Sequence, residues 1–129
     1  MGWDVHLWPW RDGKPAEADA ALILEVLGRY ASGVRRESAI TSRTTDGQAE
    51  IFGLDDPQIG FMIDNASGLA IWDAMVAVAD AASLALHAAG LCPCCDTRAE
   101  LLHHLPAEDA LDARVVTSGA ELLRACAVS

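Results

Sequence analysis

From Leu69 to Ala82 the chain carries an apolar surface too wide for a helix that faces water. Leu69, Ile71, Trp72, Met75, Val76, Val78, Ala79 and Ala82 fall within about half of the helical circumference. Asp73 and Asp80 lie two turns apart on the other half, with Ala70, Ala74, Ala77 and Ala81 near them. A helix of this pattern has to be covered by other elements on its broad side and shows water a thin Asp/Ala stripe. It is therefore predicted to be the central packing element, with Ser67 placed to cap its start.

The rest of the chain supplies the cover. Trp3 to Trp8 alternates as a strand, with Trp3, Val5 and Leu7 on one side and Asp4, His6 and Trp8 on the other. Pro9 and Asp12-Gly13 end it, and Pro15 suits the first position of a helix that runs to about Gly33. Leu22, Val26 and Tyr30 mark the apolar stripe of that helix, widened by Ile23 and Leu27. Val34 to Arg43 reads as an exposed strand, and Thr45-Asp46-Gly47 as a turn. Ala49 to Leu54 and Gln58 to Asp64 read as a hairpin around Asp55-Asp56-Pro57, with Ile59, Phe61 and Ile63 facing the core.

Ser83 to His87 fits either a continued helix or a short strand. The strand is preferred, because Leu84 falls away from the apolar arc of the preceding helix. Thr97 and Glu100 have capping-box spacing and predict a short helix ending before Pro106. Ser118 and Glu121 repeat that spacing before a last helix through Cys126, and Arg114 to Thr117 reads as a strand between them. The order β-α-β-β-β-α-β-α-β-α predicts an α+β fold. It is a single mixed sheet of about five to six short strands, packed by two main helices, in one compact domain over residues 1–129. A shared core of Leu22, Val26, Phe61, Ile63, Trp72, Met75 and Val76 follows from these faces.

Bulk properties narrow the class. An apolar fraction of 52% is that of a packed domain, and a domain of this length needs neither metal nor disulfide merely to fold. The first residues, Met1-Gly2-Trp3-Asp4-Val5-His6, lack a basic segment and a continuous apolar run, so no signal peptide is predicted. The longest apolar stretch, Leu69 to Leu86, is interrupted by Asp73 and Asp80, which argues against a membrane span. Four unevenly spaced cysteines do not resemble a secreted disulfide framework. A cytoplasmic protein with reduced thiols is expected.

The net charge of −10 is lopsided. Residues 1–43 balance, whereas residues 44–129 hold thirteen acidic and three basic residues. That balance opposes binding to nucleic acid or to an anionic membrane and permits a basic protein partner. Its bland reading is surface charge that keeps the chain soluble.

Three of the four cysteines crowd into Cys92-Pro93-Cys94-Cys95, and His103-His104 follow one short helix later. Thiolates and imidazoles are zinc ligands, so these five residues form a candidate metal set. Adjacent helical residues point about 100° apart and adjacent strand residues point to opposite sides, so the realistic local set is three. Cys92, one of Cys94 or Cys95 and one histidine would need His87, His6 or Cys126 as a fourth ligand. Ordinary thiols in a proline-containing loop are the simpler reading, with no cofactor at all. Thiol redox or nucleophilic chemistry would need a lowered pKa and a base in reach, and His104 has Glu100 one helical turn away as a competing partner. Cys126 falls on an apolar stripe with Leu122 and Leu123.

Trp8-Pro9-Trp10 places two tryptophans at the exit of an early strand, and exposed tryptophan is enriched at interface hot spots. The leading expectation is a small acidic, non-catalytic binding protein. It would hold a basic protein, as inhibitor- or immunity-type proteins do, through Asp55, Asp56, Asp73 and Asp80, with or without Trp8 and Trp10. A zinc-binding domain is the alternative, and a thiol enzyme a third.

Overall fold

The structure is a computed structural model that describes residues 4–88 and 93–127. It has a mixed α+β fold with one sheet of eight strands. The strands are β1 (Val5–Arg11), β2 (Lys14–Pro15), β3 (Ala39–Arg43), β4 (Gln48–Phe52), β5 (Phe61–Asp64), β6 (Leu84–Ala88), β7 (Cys94–Asp96) and β8 (Arg114–Val115). The helices are α1 (Ala20–Tyr30), α2 (Leu69–Ala82), α3 (Ala107–Ala110) and α4 (Gly119–Ala127). Two strands exceed the five to six expected: β2, two residues long, and β7, three residues long, both below the length at which alternation shows in a sequence. No helix among the described residues is long and apolar enough to cross a membrane.

The main path through the sheet is β3-β4-β5-β1-β6-β7-β8. Pairing is antiparallel except between β7 and β8. Because β5 and β6 both run opposite to β1, they are parallel to each other, and α2 is the crossover that carries the chain over β1. The helix packs between α1 and α4 and against β6. This explains why its apolar face has to be so wide. Trp72, Met75, Val76, Ile71 and Val78 are buried in the same core as Val5, Leu7, Ile51, Phe61, Ile63, Leu84 and Leu86. Val26 belongs to that core, as expected, whereas Leu22, expected within it, is partly buried at its margin.

The start of α2 is held from a distance. Its N-cap is Gly68, and the Asp46 carboxylate in the β3–β4 turn accepts from the Leu69 N–H at 2.9 Å and the Ala70 N–H at 3.2 Å. The Leu69 bond is the main reason that the Asp46 carboxyl is held below its ordinary range. Ser67 does not cap the helix; its hydroxyl accepts from the Gln48 N–H instead. Gly47 permits this approach, since a side chain there would place a carbon 1.8 Å from the Ser67 carbonyl oxygen. At the other end Ser83 takes a left-handed conformation (φ 57°), which stops the helix and releases Leu84–Ala88 as the expected strand.

Other expectations shift for local reasons. Pro15 lies in β2, and α1 begins later, with the Asp19 carboxylate accepting from the Leu22 N–H. Of the stretch 34–43, the segment Ala39–Arg43 is strand. Ile59 is 57% exposed because Pro57–Ile59 is a 3-10 turn ahead of β5, so its alternation with Phe61 and Ile63 is broken. Thr97 and Glu100 do not form a capping box: Ala99–His104 is a 3-10 helix with no side-chain cap. Ser118 does cap α4, accepting from the Glu121 N–H. Leu69, expected in the core, is 44% exposed, whereas Ala74, expected on the water-facing stripe, is fully buried against it.

Candidate functional site

The helices α1, α2 and α4 cover one face of the sheet. On the other face the 3-10 helix Ala99–His104 lies over one end, where Leu105, Ala85 and Cys94 form a small second core with Trp10, Leu102 and Ala113 at its margin. The remainder of that face is formed by partly exposed side chains, and the register decides which of them meet.

One cross-strand row runs Ala39, Phe52, Met62, His6, His87 and Cys94 over six strands. The row beside it runs Thr41, Glu50 and Asp64, and Asp4 joins its end by hydrogen-bonding Asp64. That bond, followed by repulsion between the two carboxyls, raises the Asp4 carboxyl above its ordinary range. The Asn65 side-chain amide donates to Glu50 at 3.1 Å. None of the three carboxylates has a cation partner within ion-pair distance among the described residues.

Along β1 the same face continues as His6, Trp8 and Trp10. The rings of His6 and Trp8 lie 5.2 Å apart, and those of Trp8 and Trp10 are stacked at 6.3 Å. Trp8 is 38% exposed and Trp10 is half-buried. Gly60, at φ 116°, lies under Trp8: a side chain there would reach 3.5 Å from the Trp8 ring and 3.1 Å from the Leu7 carbonyl oxygen. Burial, the larger cause, and the charge of His87 both lower the His6 pKa, against the opposing pull of Asp4. A groove of about 410 Å³ lies at the β3–β4 end, walled by Arg35, Ala39, Thr41, Glu50 and Phe52.

The carboxylates singled out in the sequence do not gather on this face. Asp55 and Asp56 sit exposed on the turn before Pro57, where Asp56 accepts from the Gln58 amide. Asp73 and Asp80 line a cleft of about 490 Å³ with Tyr30, Val76 and Thr97. Neither is a bare surface charge. Asp73 Oδ1 accepts from the Gly119 N–H at 2.9 Å and so anchors α4 to α2. Asp80 Oδ1 accepts from the Thr97 hydroxyl at 3.0 Å and lies 3.3 Å from Arg98 Nε. The water-facing stripe predicted on α2 is thus a docking edge for the chain around it.

The cysteine and histidine residues are likewise spread apart. Cys92 and Trp3 lie outside the described residues. Cys94 and Cys95 are buried on opposite faces of β7, one in the small core and one in the main core. His103 is exposed, and His104 turns to the β1–β2 turn, where its Nδ1 accepts from the Asp12 N–H at 3.3 Å rather than pairing with Glu100. Among the described residues no three His, Cys, Asp or Glu side chains form a group that could hold a metal. Burial, reinforced by Asp96 and Asp109, pushes the Cys94 thiol up to about 12, the reverse of what a thiolate nucleophile needs. Cys126 is buried in the main core, as its stripe predicted.

Sequence reasoning found Trp8 and Trp10 but passed over Glu50, Asp64, Phe52 and Met62. The alternation of β1 put Asp4, His6 and Trp8 on one side; what joins them to the other residues is the register between strands. No protein-family model matches this chain, and no curated protein and no solved structure is significantly similar to it.

Proposed function

We propose that this chain is a non-catalytic binding protein that holds a basic segment of a protein partner on its open sheet face. The observation that carries the reading is the in-register set Glu50, Asp64 and Asp4 beside Phe52, Met62, His6 and Trp8. Like charges directly opposite on a sheet are unfavourable, so a cationic side chain placed over them removes a cost as well as adding an attraction. The neighbouring aromatic row supplies the apolar anchors that interfaces concentrate at their centre, and an arginine stem can lie along Trp8 while its head reaches the carboxylates. The acidic balance of residues 44–129 disfavours nucleic acid on the same surface. Buried thiols at Cys94, Cys95 and Cys126 suit a reducing compartment such as the cytoplasm.

The test is a titration of the isotope-labelled protein with a short peptide carrying alternating arginine and leucine, followed by NMR at low and high salt. Shifts concentrated at His6, Trp8, Glu50 and Asp64, and weakened by salt, support the reading. Shifts confined to the α2 cleft, or no binding by the peptide, overturn it. A pull-down from the native host with the wild type and with Asp64→Asn then identifies the partner.

A further inference from the structure

Asp96 is a buried carboxyl group. The residue is 2% exposed, and its Oδ2 is buried with no hydrogen-bond partner among the described residues. It stands on β7, opposite Ala85, and the 3-10 helix Ala99–His104 covers it. Arg98 acts on it as a charge, but the Arg98 Nη2 donates to the Ser83 hydroxyl at 3.0 Å and to the Asp80 carbonyl. Buried polar groups are nearly always satisfied, so an orphan oxygen points to a missing donor.

Asp96 forms part of the wall of a small chamber of about 10 Å³, with Trp10, Ser83, Leu101, His104 and Leu105. An outer depression of about 160 Å³ shares four of those walls, Trp10, Ser83, Leu101 and His104, and adds Glu17 and Arg11 at its rim. The two rim charges are opposite in sign. His104 Nδ1 accepts from the Asp12 N–H, so this nitrogen is already engaged at the wall. The walls common to the chamber and the depression are an indole, a serine, a leucine and an imidazole, and the Asp96 carboxyl belongs to the chamber alone.

We propose that this pocket binds a primary alkylammonium group, its stem along Trp10 and Leu101 in the outer depression and its head at Asp96 Oδ2. The size of the inner chamber sets the selectivity. A space of roughly 10 Å³ accommodates a single water-sized group, and an ammonium head is that size. A guanidinium is planar and several atoms wide, and a quaternary ammonium has no N–H to donate. The indole face of Trp10 attracts the cation on its way in, and Asp96 supplies the acceptor at the end. Burial raises the Asp96 carboxyl to about 7 against the opposing charge of Arg98, and a further cation at Oδ2 would favour its ionised form. The ligand is either a free aliphatic amine or the side chain of a lysine. The inference does not depend on the open sheet face, since Asp96 lies beneath the 3-10 helix.

The experiment titrates the full chain with n-butylammonium, n-butylguanidinium and tetramethylammonium at constant ionic strength. It follows the Trp10 indole, the Leu101 methyls and the His104 ring by NMR. Saturable shifts at these three residues with n-butylammonium, weaker by about tenfold or more for the other two cations, support the pocket. Equal responses to all three cations show a general ionic effect and overturn it. Asp96→Asn, checked for folding by its own spectrum, should lower butylammonium affinity by about tenfold or more. An unchanged affinity in that variant overturns the proposal. If Asp96→Asn does not fold, the comparison of cations on the wild type still decides. A blocked lysine peptide titrated in parallel separates the sources: binding of both peptide and amine assigns the pocket to lysine side chains, and binding of the amine alone assigns it to free amines.

Discussion

Asp73 and Asp80 on α2, and Glu50 and Asp64 on the sheet, carry the same charge but meet different neighbours. The first pair is built into the fold. Asp73 satisfies the first N–H of α4, and Asp80 holds Thr97 and Arg98 at the entry to the 3-10 helix. The second pair sits in register on a face with partly exposed aromatic rings and no cation within ion-pair distance among the described residues. A carboxylate that completes a helix terminus has spent its interaction on folding, whereas one set beside another carboxylate remains available to a ligand. Charge counted along a chain does not distinguish the two; the hydrogen-bond partners do.

The comparison extends to the tryptophans and is easiest to break there. Trp72 is a buried residue of α2 in the main core, and Trp8 is 38% exposed on the opposite face of the sheet. Trp72→Ala should destabilise the protein by about 3–5 kcal/mol in denaturant titration, and Trp8→Ala by about 1 kcal/mol or less. Similar losses for the two would show that the open face is part of the folding core rather than a surface held for binding.

Asp96 sharpens the contrast, because its Oδ2 meets neither a helix terminus nor another donor among the described residues. Its folded pKa of about 7 lies above the ordinary 3.8, so the native state holds this proton more tightly than the unfolded chain. Its contribution to stability is therefore complete below about pH 4, declines as pH rises towards 7 and stays flat above, a change of a few kcal/mol. Asp96→Asn should remove most of that slope in melts between pH 4 and 8. Asp46 acts in the opposite sense: its lowered pKa supports the fold at neutral pH and is lost on acidification. A slope that persists undiminished in Asp96→Asn would assign the pH response to other groups.

Asp73→Ala tests the structural set directly. It leaves the Gly119 N–H without its acceptor and should cost about 1–2 kcal/mol, while Asp73→Asn, which keeps an oxygen, costs less. Equal stability of the alanine variant and the wild type would move Asp73 back among the charges free for a partner.

Much of this fold was legible in residue order. The helices α1 and α2 announce themselves by periodicity, and β6 by the phase at which Leu84 leaves the apolar arc. Two kinds of feature were not legible. Elements of two or three residues, β2 and β7, are too short to alternate. Contacts between distant residues leave no local trace: Asp46 reaches the start of α2 across 23 positions, and the Glu50–Asp64 pair exists through the β4–β5 register alone. The same reason misled the capping-box reading at Thr97, whose hydroxyl goes to Asp80 rather than to its own helix. Cys94 and Cys95 looked like a cluster because adjacency in sequence brings residues near, whereas strand geometry sends them to opposite cores.

The smallest expected effect on stability belongs to the residues with the largest expected effect on binding. Asp64→Asn and Glu50→Gln keep shape and remove charge from the sheet face. Each should change stability by no more than about 0.5 kcal/mol, with a slight gain for Asp64→Asn because its repulsion with neighbouring carboxylates is relieved. Affinity for the basic peptide should fall, chiefly through a slower on-rate, and its dependence on salt should flatten. Asp73→Asn, matched in charge change but placed on α2, should leave that affinity nearly untouched. If instead the α2 variant weakens binding as much as the sheet variants do, the peptide is responding to net charge and not to a face, and the division between the two sets of carboxylates fails.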